Sequence, residues 1–175
     1  MKKTFILLFS GFMAFSSICV AQTLQEQVNA IVASHHAKIG IVIENADGSE
    51  QAHYHSGDFF PMQSVFKFPI ALAVLDKVDK GELRFNQRIF LKKSDLRPNT
   101  WSPLREKYKN GNVYVSLKEI LRTTIKDSDN NGCDILLRLA GGPGAVTAYL
   151  REKGIKDMTV ATTEKTMHGD WAIQA

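Results

Sequence analysis

The chain has 175 residues, 44% hydrophobic and 23% charged. It is too apolar and too evenly charged for a disordered protein, and long enough for one globular domain or one with part of a second. Its formal net charge is +4, and no lysine or arginine cluster with interleaved aromatic residues appears in it, so nucleic acid is not an expected partner.

Residues 1–21 read as a secretory signal: Lys2 and Lys3 supply the positive start and Phe5 to Phe15 an apolar run. Cys19-Val20-Ala21 then offers small residues before a cut ahead of Gln22. The run is short for a membrane span. Acylation of Cys19 is a second reading, which Ile18 just before it argues against. Export would remove two lysines and no acid, taking +4 to +2. It would leave Cys133 as the only thiol, so no internal disulfide can form. The neighbours of Cys133 predict a helical, half-buried and unreactive side chain.

Leu24, Val28, Ile31 and Val32 recur at helical spacing and predict an amphipathic helix over 23–36. His35 and His36 at its end most simply meet the last carbonyls. Ile39, Ile41 and Ile43 alternate as in a strand with one apolar face. Asn45-Ala46-Asp47-Gly48 signals a turn, and Gln51 to His55 can return as the antiparallel partner. His53, His55 and Asp58 lack the spacing of a zinc hydrolase and read as solvated hairpin residues, so no metal is expected.

After Pro61, the residues Phe66, Ile70, Leu72, Ala73 and Leu75 predict an apolar and therefore buried helix to about Val78, ended by Gly81. Residues 82–115 read as irregular, with Pro98, Pro103 and a polar tip at Lys109-Asn110-Gly111-Asn112. Ser116 with Glu119 three residues on predicts a capped helix to about Lys126. Two more helices follow near 131–140 and 143–153, separated by Gly141-Gly142-Pro143-Gly144. Beyond Gly154 the pattern is that of a loop, and no internal repeat appears.

Two motifs carry chemistry. Ser64-Val65-Phe66-Lys67 puts a hydroxyl and an amine on one helix face, where the amine can take the hydroxyl's proton. Ser64 at the helix's first turn would also have the dipole favouring developing negative charge. A lysine in an apolar helix is costly unless partnered, so Lys67 needs a reason. Ser128-Asp129-Asn130 falls between two predicted helices; its serine can relay a proton and its asparagine can donate and accept. Each motif alone has a plainer reading, chance or helix capping. In order, they are two of the three signatures S-x-x-K, S-D-N and K-T-G of penicillin-recognising serine enzymes.

On Phe60 to Lys67, Trp101-Ser102-Pro103, Ser128-Asp129-Asn130 and Thr163-Glu164, the chain resembles the class A serine β-lactamases. With His168 and a long separation between the first two motifs, it is similar to their extended-spectrum PER/VEB-like branch. The resemblance implies an α/β (α+β) serine β-lactamase/transpeptidase-like fold: an all-helical region beside a helix-covered antiparallel sheet. Residues 22–61 would begin the helix-and-sheet region. Residues 62–175 would form the helical region, with the catalytic motifs and part of an omega-type loop.

The resemblance also implies that Ser64 attacks a lactam carbonyl, Lys67 assists proton removal and Ser128 passes a proton to the leaving nitrogen. Asn130 would hold the substrate's side-chain amide, Trp101 would flank the substrate, and Glu164 would activate the water that breaks the ester. His168 stands where the family usually has an asparagine and would take its place beside that water. Thr162 stands where many members have an arginine that pins the loop, so that loop must be held otherwise. β-Lactam antibiotics are the implied partners, with no cofactor, a monomeric state and a periplasmic location. The third motif is not seen: Lys165-Thr166-Met167 lacks the glycine. The family takes that strand and its neighbours from later sequence, so the chain is expected to be an N-terminal part, its C-terminal strands missing, and unstable or inactive as written. Two rival readings are a penicillin-binding peptidase or acyl-trapping β-lactam sensor, which would not need Glu164, and an exported helical protein with coincidental motifs.

Overall fold

The computed structural model describes residues 22–166; the expected signal segment, Cys19 and His168 lie outside them. The described residues form two compact units, divided between Asp58 and Phe59.

In the first unit, helix α1 (Leu24–Ala33) opens at Thr23, whose hydroxyl accepts from Glu26 N while the Glu26 carboxylate accepts from Thr23 N. Strands β1 (Ile41–Glu44) and β2 (Glu50–Tyr54) pair antiparallel, Ile43 opposite Ala52. Ile39, Ile41, Ile43 and Tyr54 pack on Val28, Val32 and Ala52, so the isoleucine face finds its neighbour in α1. His35 Nδ1 lies 2.8 Å from Ile31 O, at the helix end as expected. His53 sits 3.0 Å from the Glu50 carboxylate and His55 beside Asp58. Among the described residues no group of three or more His, Cys, Asp or Glu is arranged to hold a metal ion.

The second unit is built around helix α2 (Lys67–Asp79), whose Ile70 and Val74 are fully buried. Packed against it are α4 (Leu117–Lys126), α5 (Asn130–Ala140) and α6 (Pro143–Glu152). Ile120, Ile135, Leu136 and Leu150 fill the space between them. Ser116 caps α4 by accepting from Glu119 N at 3.2 Å, and left-handed Gly141 (φ 106°) ends α5. One expectation for α2 needs correction. It is not buried all round, because Phe68 points outward at 59% exposure.

A second correction concerns residues 82–115, which are not irregular throughout. They contain strand β3 (Arg88–Leu91), a 3₁₀ turn (Lys93–Asp95) and helix α3 (Pro103–Lys107), and β3 pairs antiparallel with β4 (Val113–Ser116). Four-residue strands are too short for alternation to register in sequence. Their stability comes from partners distant along the chain: Leu91 and Val115 bury their side chains, and the Phe90 ring packs tilted against Tyr114, centroids 5.1 Å apart.

Helices α4 and α5 approach closely where α5 carries Gly132. A β-carbon there would meet Thr124 Oγ1 at 2.5 Å, and that buried hydroxyl has no hydrogen-bond partner among the described residues. Gly132→Ala is expected to cost about 1–3 kcal/mol, read from denaturant melts. Adding Thr124→Ala, which clears the space, should recover most of the loss; an additive double variant would refute the close contact as its cause.

Candidate active site

The segment Gln63–Phe66 is a 3₁₀ turn, with Lys67 as the first residue of α2. The expected α-helical first turn at Ser64 is therefore corrected to a tighter one. At three residues per turn, positions three apart eclipse, which brings Ser64 Oγ and Lys67 Nζ to 2.9 Å. Gln63, just before the serine, is held at φ 47°. A non-glycine residue in that region costs about 1–3 kcal/mol and persists only where its surroundings enforce it.

Between α4 and α5, Ser128 is also held in that region, at φ 56°. The bend turns its hydroxyl to Ser64 Oγ at 3.0 Å and to Lys67 Nζ at 3.2 Å. Asp129 is fully buried and caps α5. Its carboxylate accepts from Gly132 N at 2.7 Å, Leu104 N at 2.6 Å and the Ser102 hydroxyl at 2.9 and 3.0 Å. Asp129 thus ties α3 to α5, the capping role that sequence alone suggested for all three motif residues. Asn130 does more. Its Nδ2 donates to Thr100 Oγ1 at 2.7 Å, which leaves Oδ1 to accept from Lys67 Nζ at 2.6 Å.

Glu164, on the loop after α6, has 6% of its surface exposed, and its carboxylate lies 2.8 Å from Lys67 Nζ. Lys67, 1% exposed, therefore meets four oxygens with three N–H groups. The cost that its apolar helix implied is offset by this ion pair and three neutral acceptors. Removing one partner of such a pair with no acceptor left in its place costs about 3–5 kcal/mol.

The loop bearing Glu164 is held by a residue that sequence reasoning missed. Asp134 accepts from Glu164 N at 2.7 Å, from Lys165 N at 3.1 Å and from the Arg97 guanidinium at 2.9 Å. Hydrogen bonds among Thr163 and Thr166 close the turn beside it. These contacts hold the loop that carries Thr162. Burial pushes the Asp134 carboxyl above its usual range; the two backbone N–H groups and Arg97 oppose that shift, and the Glu164 carboxylate adds to it. The available signal was its position four residues after Asn130, on the same helix face.

Trp101 is 65% exposed, with its indole N–H anchored on Asp127 O at 2.8 Å, and its own carbonyl accepts from Asn130 N. His168 falls outside the described residues. Cys133 is completely buried, not half-buried as expected, and burial raises its thiol's proton affinity strongly. It stays an inert packing residue. Thus Ser64, Lys67, Ser128, Asn130 and Glu164 converge through direct contacts, and Trp101 attaches to the same loop.

Residues 23–173 match the model of the beta-lactamase enzyme family. The chain is 42% identical over 156 residues to the β-lactamase VEB-1 of Pseudomonas aeruginosa, covering 88% of this chain and 52% of that protein. It is 34% identical over 168 residues to the extended-spectrum β-lactamase PER-1 of the same organism, covering 96% and 54%. The crystal structure of the extended-spectrum β-lactamase TLA-3 superposes with a TM-score of 0.79 at 41% identity, over 86% of this chain and 55% of that one. A β-lactamase from Chitinophaga pinensis gives 0.77 at 42%, over 85% and 54%. The chain spans about half the length of the curated relatives it matches.

Proposed function

The chain belongs to the class A serine branch of the beta-lactamase enzyme family, and from that premise we propose that it hydrolyses the β-lactam amide of penicillins and cephalosporins, conferring resistance to them. The observation that carries this reading is the buried Lys67 Nζ, within hydrogen-bond distance of Ser64, Ser128 and Glu164 at once.

In the proposed sequence a proton first passes from Lys67 to Glu164 across their 2.8 Å contact. With the carboxyl protonated and the amine neutral, Lys67 takes the Ser64 proton as Oγ attacks the lactam carbonyl. The C–N bond then breaks, and the leaving nitrogen receives a proton from Ser128, which regains one from Lys67. The product is an ester on Ser64 with the ring opened. Glu164 then returns its proton to the neutral Lys67 amine and, as a carboxylate, removes a proton from water; the resulting attack on the ester breaks its bond to Ser64 Oγ and releases the opened acid, and the proton passes from Glu164 to Ser64. Asn130 offers its remaining Nδ2 proton to the substrate's side-chain carbonyl, Trp101 flanks the substrate, and His168 would share the water. Residues 1–21 would direct the protein to the periplasm, where it acts as a monomer; a mature N-terminus other than Gln22 would argue against that cut.

The test incubates the full-length gene product with benzylpenicillin and with a chromogenic cephalosporin, following hydrolysis and intact mass together. Turnover with a transient adduct mapped to Ser64 is expected. A persistent adduct without turnover would instead mark a β-lactam trap, and no adduct would refute both.

A further inference from the structure

Arg105, on α3, makes contacts that its partly exposed surface position does not require. Its NH1 donates to three carbonyl oxygens: Arg97 O at 2.7 Å, Pro98 O at 2.5 Å and Thr100 O at 2.8 Å. The other edge, Nε and NH2, grips the Glu106 carboxylate at 2.9 and 2.7 Å. A guanidinium can do this because its donors form a rigid planar fork, which an ammonium lacks. Three carbonyls gathered on one nitrogen curl residues 97–100 into a fixed turn.

That turn presents two groups to the candidate site. The Thr100 hydroxyl accepts from Asn130 Nδ2, setting the amide so that Oδ1 faces Lys67. The Arg97 guanidinium meets Asp134, which in turn holds the backbone of Glu164 and Lys165. The turn is also tied from α5, where Asn131 Nδ2 donates to Arg97 O at 3.2 Å. We infer that Arg105 is a positioning residue for the reaction: through one clasp on residues 97–100 it orients the substrate-holding Asn130 and, by way of Arg97 and Asp134, the water-activating Glu164.

This inference rests on the roles given to Asn130 and Glu164 above, and its test separates the two. Acylation and deacylation rates are measured for the full-length gene product, for Arg105→Ala, for Arg105→Lys, and for each combined with Thr100→Val. Both Arg105 variants should lose about 10- to 100-fold in acylation and in deacylation, with the lysine variant's melting temperature within a few degrees of the parent. Thr100→Val should slow acylation alone, and should add nothing once Arg105 is replaced, because the turn that aims Thr100 is already slack. If the alanine variant does not accumulate in soluble form, the lysine variant carries the same cycle. Rates within twofold of the parent in a folded Arg105 variant, or additive effects of Arg105 and Thr100, overturn the inference while the β-lactamase reading stands. An unmodified protein that forms no acyl-enzyme overturns both.

Discussion

With Glu164→Gln, a β-lactam substrate is expected to stop at the ester: deacylation falls by about 10²–10⁴-fold, while acylation of Ser64, slowed because Lys67 can no longer pass its proton to residue 164, still outruns it. Glutamine keeps an oxygen that can face Lys67 but cannot take a proton from water, so the second half of the reaction loses its base. Intact-mass spectrometry should show the parent free at steady state and the variant fully acylated. The structural penalty should be modest. The glutamine oxygen, Asn130 Oδ1 and two hydroxyls remain as acceptors for Lys67, so a cost of about 1–3 kcal/mol is expected. Glu164→Ala also removes that oxygen and should cost more. The upper bound is the free energy of neutralising an ordinary lysine at pH 7, about 4–5 kcal/mol. If Glu164→Gln turned over within tenfold of the parent, Glu164 would not be the base.

Asp134→Ala should have the second-largest effect, though Asp134 is placed only to hold Glu164, not to touch the substrate. The change strips an acceptor from two backbone N–H groups and a partner from Arg97. Hydrogen bonds to a charged group contribute about 1.5–3 kcal/mol each and do not simply add, so a loss of about 3–5 kcal/mol is expected. Once the loop is free, displacement of the carboxylate by an ångström should slow deacylation about 10²-fold. Acylation, which needs Ser64 and Lys67 first, should suffer less. Equal loss in both steps would show that Asp134 supports the whole unit rather than the loop.

Asp134 also sets a pH dependence. Because burial raises its carboxyl's proton affinity in the folded protein, the folded state binds the proton more tightly than the unfolded one. The associated stability is fully present below the ordinary aspartate value and is lost as pH rises through the raised one. Asp134→Asn, which cannot titrate, should lack that downward segment. Chemical melts from about pH 4 to pH 7 would detect it, and parallel curves for parent and variant would refute it.

Much of this was legible along the chain because the relevant physics is local. The Ser116 cap, the Gly48 turn and the Gly141 stop depend on residues a few positions apart. So does the Ser64–Lys67 pairing, a three-residue spacing that any helical turn brings together. The pair β3 and β4 was not legible, because four-residue strands acquire meaning only from a partner far along the chain. Asp134 was missed for a related reason: an acid on a helix face looks like surface until the loop carrying Glu164 is laid across it. Arg105 and Thr100 likewise lie in the stretch 82–115 that reads as irregular.

From its residues alone the chain specified which groups could react: a hydroxyl, an amine and a carboxylate of suitable types, and helices to carry them. Whether the amine would be dry, and whether the carboxylate would reach it, depended on how α2, α5 and the loop after α6 packed together. Ser128, Asn130 and Glu164 come to Lys67 from other elements, and only that packing excludes water while delivering an acceptor to each N–H. A buried charge is tolerable on no other terms, so the same contacts that make Lys67 affordable within the fold also put it within reach of Ser64 and Glu164.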